Sequence, residues 1–316
     1  MFPEAVPSRL LKPPALPANP GIRVITPASF APEDRYFRGM ENLRALGLNP
    51  SSAQHTQARG PLFFAGSPSD RLDDLHSAFT DPSVHIVAPV RGGYGSNYLL
   101  QDLDLSLIRK NPKPILAYSD LTGMQLLCLD RIGLPAFHGP MVAADFARED
   151  GVHLSSLRSA LTGEPYKVGP EEGMRTLKPG TAAGTLYGGC LSILVALLGT
   201  PWEPNTAGKL LFIEDVGAKP FQVDRMLWQL REAGKLDNIT GILFGEMLEC
   251  ASPGAPPDLL EQVILHFFAD FRGPIAIGLR SGHVSHANVT LTMGVRAQLD
   301  AAEEATLSIL EPAIIA

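Results

Sequence analysis

Short apolar runs recur along this chain, and between them the apolar residues shift to helical spacing. Ile22–Thr26 (I-R-V-I-T), Val84–Val90 (V-H-I-V-A-P-V) and Pro114–Tyr118 (P-I-L-A-Y) have strand length. Helical spacing follows over Arg35–Leu46, from Ser67-Pro68 through Leu72, Leu75 and Phe79, over Leu99–Ile108, and over Leu121–Asp130. Strands separated by helices cannot pair as hairpins. The pattern therefore predicts an α/β fold with a parallel sheet and helices on both faces. Ligands of such sheets bind beyond the carboxyl ends of the strands. Two such ends stand out here, the loop Arg91–Ser96 (R-G-G-Y-G-S) and the turn at Ser119.

At 316 residues the chain has room for two domains of roughly 100–200 residues each. Residues 1–20 hold six prolines and read as an extended arm. Residues 21–144 form the first α/β domain. The pattern loosens over 145–180, where E-D-G, T-G-E-P and K-P-G-T mark turns around one helix near His153–Leu161, so this stretch reads as a linker. The second α/β domain spans 181–316. It carries a helix at Leu191–Leu198, a strand at Lys209–Glu214, and an amphipathic helix at Phe221–Ala233. A strand at Ile239–Phe244, a helix at Leu259–Phe268, a strand at Ile275–Ile277 and short strands within Asn288–Leu310 follow.

The net charge of −7 and the lack of a basic stripe argue against nucleic acid as a partner. The N-terminus has no basic segment leading into an unbroken apolar core, so it does not read as a secretory signal. The apolar run Leu191–Leu198, interrupted by Ser192, is too short to span a bilayer. Cys128, Cys190 and Cys250 are widely spaced with no C-x-x-C, which suits a reducing cytoplasm better than a disulfide framework or structural zinc. A cytoplasmic protein without a membrane partner is expected.

Ser119 lies at a strand-to-helix seam, where a hydroxyl can stand above unpaired helix N–H groups that would stabilise an oxyanion. Ser and Asp are also favoured at helix N-caps on hydrogen-bonding grounds alone, and Ala117 and Leu121 replace the glycines of G-x-S-x-G. The loop Gly92-Gly93-Tyr94-Gly95 is either an ordinary turn or a place where backbone approaches a ligand closely. No G-K-[ST] follows it, and G-x-G-x-x-G is absent, so neither a P-loop nor a dinucleotide fingerprint is present. Glu214 and Asp215 close an apolar strand, either as a cap or as the acid that orients a histidine. His283 follows a strand and a glycine. His286 completes H-x-x-H without a carboxylate at a telling spacing. His138 ends another strand, as a support or core histidine, and Cys128 occupies a core-facing helical position.

Taken in order, the pieces R-G-G-Y-G-S (91–96), A-Y-S-D-L-T (117–122), H-G-P (138–140), G-G-C-L-S (188–192), F-I-E-D (212–215), V-D-R-M-L (223–227) and S-G-H (281–283) resemble the serine LD-carboxypeptidases. That family comprises the muramoyl-tetrapeptide carboxypeptidases and the microcin-immunity peptidases. The resemblance implies a catalytic triad of Ser119, Glu214 and His283 and an oxyanion hole from the Gly93 and Asp120 N–H groups. Arg91, Gly92, Tyr94 and Tyr118 become substrate-contact candidates. It further implies a flavodoxin-like first domain, a smaller second α/β domain, an active site in the interdomain cleft, and a homodimer. The expected substrate is a small peptide or muropeptide losing a C-terminal D-amino acid. A peptide–nucleotide substrate is the alternative within the family, and a non-catalytic two-lobed binding protein the alternative outside it. Cys190 stands where the family pattern has Asn, and Ala218-Lys219 where it has an acid. No cofactor or metal is expected, because H-E-x-x-H and cysteine pairs are missing. Exhaustive chelation should accordingly leave the hydrolysis rate unchanged, and a rate restored only by added zinc would refute this expectation.

Overall fold

The structure is a computed structural model, in which residues 9–315 are described. Residues 1–8 of the expected arm and Ala316 lie outside the described residues. The chain divides into two compact units. Of the described residues, the first comprises 9–164, 286–294 and 312–315, and the second 165–285 and 295–311. The expected linker 145–180 is divided between them at residue 164, and the second unit is interrupted by a return of the chain to the first.

The first unit runs β1 (Gly21–Ile25), α1 (Glu33–Ala45), β2 (Asn49–Ser52), α2 (Pro68–Thr80), β3 (Ile86–Pro89), α3 (Leu105–Lys110), β4 (Leu116–Ala117), α4 (Thr122–Ile132), β5 (Ala136–His138) and α5 (Leu154–Thr162). Strands β2, β1 and β3 pair in parallel. A parallel bridge between Val87 and Ile115 continues the layer to β4, which pairs in parallel with β5. The order β2-β1-β3-β4-β5 is flavodoxin-like. The segment Leu291–Met293 adds an antiparallel edge beside β5.

Local chemistry accounts for the helices. Ser67 Oγ accepts from the Asp70 N–H and Asp70 Oδ2 from the Ser67 N–H, both at 3.1 Å, so α2 opens on a capping box with Pro68 at its first position. Helix α4 is buried on almost every side and ends at Gly133 with φ +75°. The expected helix over Leu99–Ile108 is instead a 3₁₀ turn at Ser96–Leu99 followed by short α3, which Asp104 caps by accepting from the Leu107 N–H at 2.9 Å. Strand β2 (N-P-S-S) has no apolar alternation and gave no sequence signal.

In the second unit the elements are β6 (Tyr166–Val168), β7 (Arg175–Lys178), β8 (Thr181–Cys190), α6 (Leu191–Ala196), β9 (Lys209–Glu214), α7 (Pro220–Glu232), β10 (Gly241–Gly245), α8 (Leu259–Phe267) and β11 (Ile275–Leu279). Leu291–Met293, already placed in the first unit, is β12. Strands β13 (Arg296–Asp300) and β14 (Thr306–Ile309) complete the second. Its sheet has the order β6-β14-β13-β8-β9-β10-β11-β7. The centre, β8 to β11, is parallel, and the flanks are antiparallel. Strand β10 is buried throughout and β9 at all but its first residue, as strands covered on both faces must be. This unit is the shorter in chain but holds the larger sheet.

Strands β4 and β5 are short, and a side chain reinforces them. Gln125, buried in α4, aims its Nε2 at the carbonyls of Ile115, Ala117 and Phe137, 3.0, 3.0 and 3.1 Å away. Gln125→Met would keep the volume but leave buried acceptors unsatisfied. It should lower unfolding stability by about 1–3 kcal/mol in denaturant titration, whereas an unchanged midpoint would mean the amide contributes nothing.

Candidate active site

Ser119 occupies the turn between β4 and α4 with φ +63°, a left-handed conformation that is uncommon outside glycine. Its hydroxyl caps neither the 3₁₀ turn Ser119–Leu121 nor α4, so the N-cap reading of this serine fails. A strained residue at a strand-to-helix elbow is how a nucleophile is held clear of its sheet.

The Gly92–Gly95 loop lies against it. A methyl group on Gly92 would stand 3.0 Å from Ser119 Cβ, 3.1 Å from its Oγ and 3.3 Å from the Asp120 N. Close approach, not turn conformation, therefore demands glycine at 92. The two loops are latched by Asp120, whose Oδ2 accepts from the Ser96 N–H at 2.8 Å and whose carbonyl accepts from Ser96 Oγ at 2.7 Å.

Two further residues hold this loop and carried no sequence signal. Ser29, in the loop after β1, donates its N–H to the Gly92 carbonyl at 3.3 Å, and its Oγ accepts from the Tyr94 N–H at 3.1 Å. Arg71 of α2 is buried, and its Nη1 donates to the carbonyls of Pro27 (2.8 Å) and Gly95 (2.9 Å). Burial lowers the pKa of this guanidinium, and the nearby Asp120 charge works in the opposite sense. Both residues sit far from the loop in sequence, which is why pattern reading passed over them.

The substrate-contact candidates separate by exposure. Arg91 is exposed, and Tyr94 is exposed by 42%. Tyr118 is only 5% exposed, its ring 5.9 Å from that of His138 and its hydroxyl bonded to Asp145, so its side chain packs beneath the turn.

In the second unit, Glu214 ends β9 fully buried. Its Oε2 accepts from the His283 N–H at 3.0 Å and lies 2.8 Å from His283 Nδ1. Gly282, with φ +94°, makes this possible, because a methyl there would fall 2.5 Å from Glu214 Cδ. Asp215 turns the other way, as neighbours on a strand do. Its Oδ2 accepts from the Ser192 N–H at 2.8 Å at the start of α6, and burial raises its pKa. Cys190 is the parallel-register partner of Glu214, with burial and then the Glu214 and Asp215 charges pushing its thiol well above the ordinary range. His286 is exposed and belongs to the first unit, whereas Glu214 and His283 belong to the second. Cys128 is packing, its thiol pushed up to about 12 by burial.

The two crowding glycines predict different outcomes. Gly92→Ala should reduce turnover about 10- to 100-fold with little change in melting, because a displacement of a reacting Ser119 of order 1 Å would suffice. Gly282→Ala adds backbone strain to a clash with a buried carboxylate and should destabilise by more than about 2 kcal/mol. Equal effects of the two changes on turnover and melting would contradict this geometry.

The chain matches known proteins over both units. The model of the LD-carboxypeptidase N-terminal domain matches residues 22–139, and that of the LD-carboxypeptidase C-terminal domain residues 183–299. A probable murein peptide carboxypeptidase of Bacillus subtilis (strain 168) is 36% identical over 93% of this chain and 92% of its own. The crystal structure of muramoyltetrapeptide carboxypeptidase from Oxalobacter formigenes superposes with a TM-score of 0.80 at 30% identity, covering 92% of this chain and 99% of that one. An MccF-like protein from Bacillus anthracis str. Ames gives 0.87 at 27% identity, covering 95% and 99%. With both domain models matched in order and a relative of this identity along almost its whole length, the chain belongs to the LD-carboxypeptidase family.

Proposed function

We propose that this chain is a serine LD-carboxypeptidase using Ser119, Glu214 and His283 as one triad, and that it releases the terminal D-Ala of a murein tetrapeptide. The observation that carries the reading is the Glu214–His283 pair. A fully buried carboxylate on Nδ1 fixes the tautomer, so that Nε2 is left as the base. Ser119 Oγ attacks the scissile carbonyl while His283 Nε2 takes its proton. The Gly93 and Asp120 N–H groups hold the oxyanion, and each such donor is worth roughly 3–4 kcal/mol. Collapse breaks the C–N bond, and the imidazolium returns the proton to the departing D-amino acid. Water then enters by the same base catalysis, hydrolyses the acyl-enzyme and restores Ser119. Arg91 and Tyr94, both exposed, are the side chains proposed to meet the substrate, on the loop whose Gly92 lies against Ser119.

The likeness to the Oxalobacter enzyme named for muramoyl tetrapeptides supports this substrate. The likeness to the MccF-like protein supports a second reading, carboxypeptidase action on a peptide–nucleotide conjugate. Incubation with a panel of muropeptides and peptide–nucleotides, read by product mass, separates the two. We further propose a cytoplasmic homodimer. Three free, buried cysteines fit a reducing compartment, and light scattering tests the dimer.

Ser119→Ala and His283→Ala should each lower kcat by roughly 10⁴-fold or more, and the double variant should be no worse, because triad members act as a unit. Glu214→Gln should also lower kcat severely. A serine-directed phosphonate should label the native protein and not Ser119→Ala. Activity retained in Ser119→Ala would refute the mechanism, and labelling without turnover of any amide would favour a non-catalytic binder.

A further inference from the structure

Beneath the nucleophile turn lies a buried carboxylate that the mechanism does not use. Asp145, in the turn after β5, is 2% exposed. Its Oδ2 accepts from the Met141 N–H at 2.9 Å, and its carboxyl is also hydrogen-bonded by the side chains of Asn288 and Tyr118. Tyr118 immediately precedes Ser119 and is packed on His138. Asn288 is itself immobilised. Its N–H donates to the Gly151 carbonyl at 2.9 Å, and its carbonyl accepts from the His153 N–H at 3.1 Å. The charge acting on Asp145 is that of Arg148, on its own turn, whose Nη2 donates to the His286 carbonyl at 2.6 Å.

Resting on the serine reading above, we infer that Asp145 is a positioning residue for the nucleophile. Its ionised carboxylate holds the Tyr118 hydroxyl and so steadies the backbone entering the strained Ser119, as Asp120 does on the leaving side through Ser96. Three donors converge on this one carboxyl, which only the ionised form accepts from without conflict.

Maintaining that charge opposes folding. Burial raises Asp145 to about 6, above its value in the unfolded chain. The folded state therefore binds this proton more tightly than the unfolded chain does. Asp145 favours folding at low pH, and the contribution is lost as pH rises through about 6. A group kept ionised at neutral pH against stability, in contact with the residue before the nucleophile, has the profile of a functional constraint.

Full-length Asp145→Asn and Tyr118→Phe test this. Each should lower kcat about tenfold or more while KM stays within about twofold, since alignment is lost but ground-state contacts are kept. Phosphonate labelling of Ser119 should slow in parallel, and the melting temperature of Asp145→Asn at pH 8 should match or exceed the native one. The acid limb of native kcat should be steeper than that of Asp145→Asn, because the native protein loses two ionisations there and the variant only one. Native labelling and turnover in Asp145→Asn, with Ser119→Ala inactive, would overturn this inference alone. A Ser119 that no reagent labels, in a protein whose Ser119→Ala form stays active, would overturn it together with the serine mechanism. Should Asp145→Asn fail to fold, Tyr118→Phe decides, and native kcat there would overturn the inference.

Discussion

The left-handed turn at Ser119 is the constraint on which the loops around it depend. A non-glycine residue in this region sits about 1–2 kcal/mol above its relaxed conformation. It persists only where its surroundings over-determine it. Here the restraints are specific: Gly92 brings backbone within van der Waals reach of the Ser119 side chain, and the Asp120 carboxylate binds the Ser96 N–H. Ser29 and Arg71 then take up the groups of the Gly92–Gly95 loop that would otherwise be orphaned. One charge-assisted hydrogen bond of this kind contributes about 1.5–3 kcal/mol, enough to offset the strain. Each restraint also carries the backbone of the loop towards the serine, so strain and loop placement are one feature.

In the second unit the governing fact is that a carboxylate with no solvent exposure must have strong partners. Glu214 has them in the backbone and ring nitrogens of His283, and the absence of a side chain at Gly282 and Gly245 makes room for it. The strand that carries Glu214 also carries Asp215, and the pleat sends the two to different work. Glu214 meets a ring, while Asp215 accepts the Ser192 N–H at the start of α6 and the Val216 N–H at 2.8 Å. Two adjacent acids thus avoid sharing one pocket, where like charges would disfavour ionisation of both. Cys190, in register with Glu214, places a neutral thiol beside that pair.

What the chain declared by itself were the features carried by local periodicity and strong punctuation. Val84–Val90, Pro114–Tyr118 and Lys209–Glu214 are short apolar runs that hold β3, β4 and β9, and Ser67-Pro68 opens a helix because the cap and the fixed proline φ are local physics. Strand alternation likewise settled that Glu214 and Asp215 face apart, and the motif order from Arg91 to His283 carried the family. Strand β2 escaped because N-P-S-S pairs by position and not by burial, and the Leu99–Ile108 stretch because Asp104 caps a new helix within it. Only the tertiary structure decided that Gly92 is needed for proximity to Ser119, that Tyr118 is buried, and that Ser29 and Arg71 bond the Gly92–Gly95 loop, Gln125 the β4 and β5 carbonyls, and Asp145 the Tyr118 hydroxyl. The same holds for β12 returning to the first unit's sheet. These contacts join residues between eight and 157 positions apart, from Gln125 with Ala117 to Ala136 with Met293. Sequence periodicity reports which face of an element is buried, and it says nothing about which distant backbone group will come to lie against it.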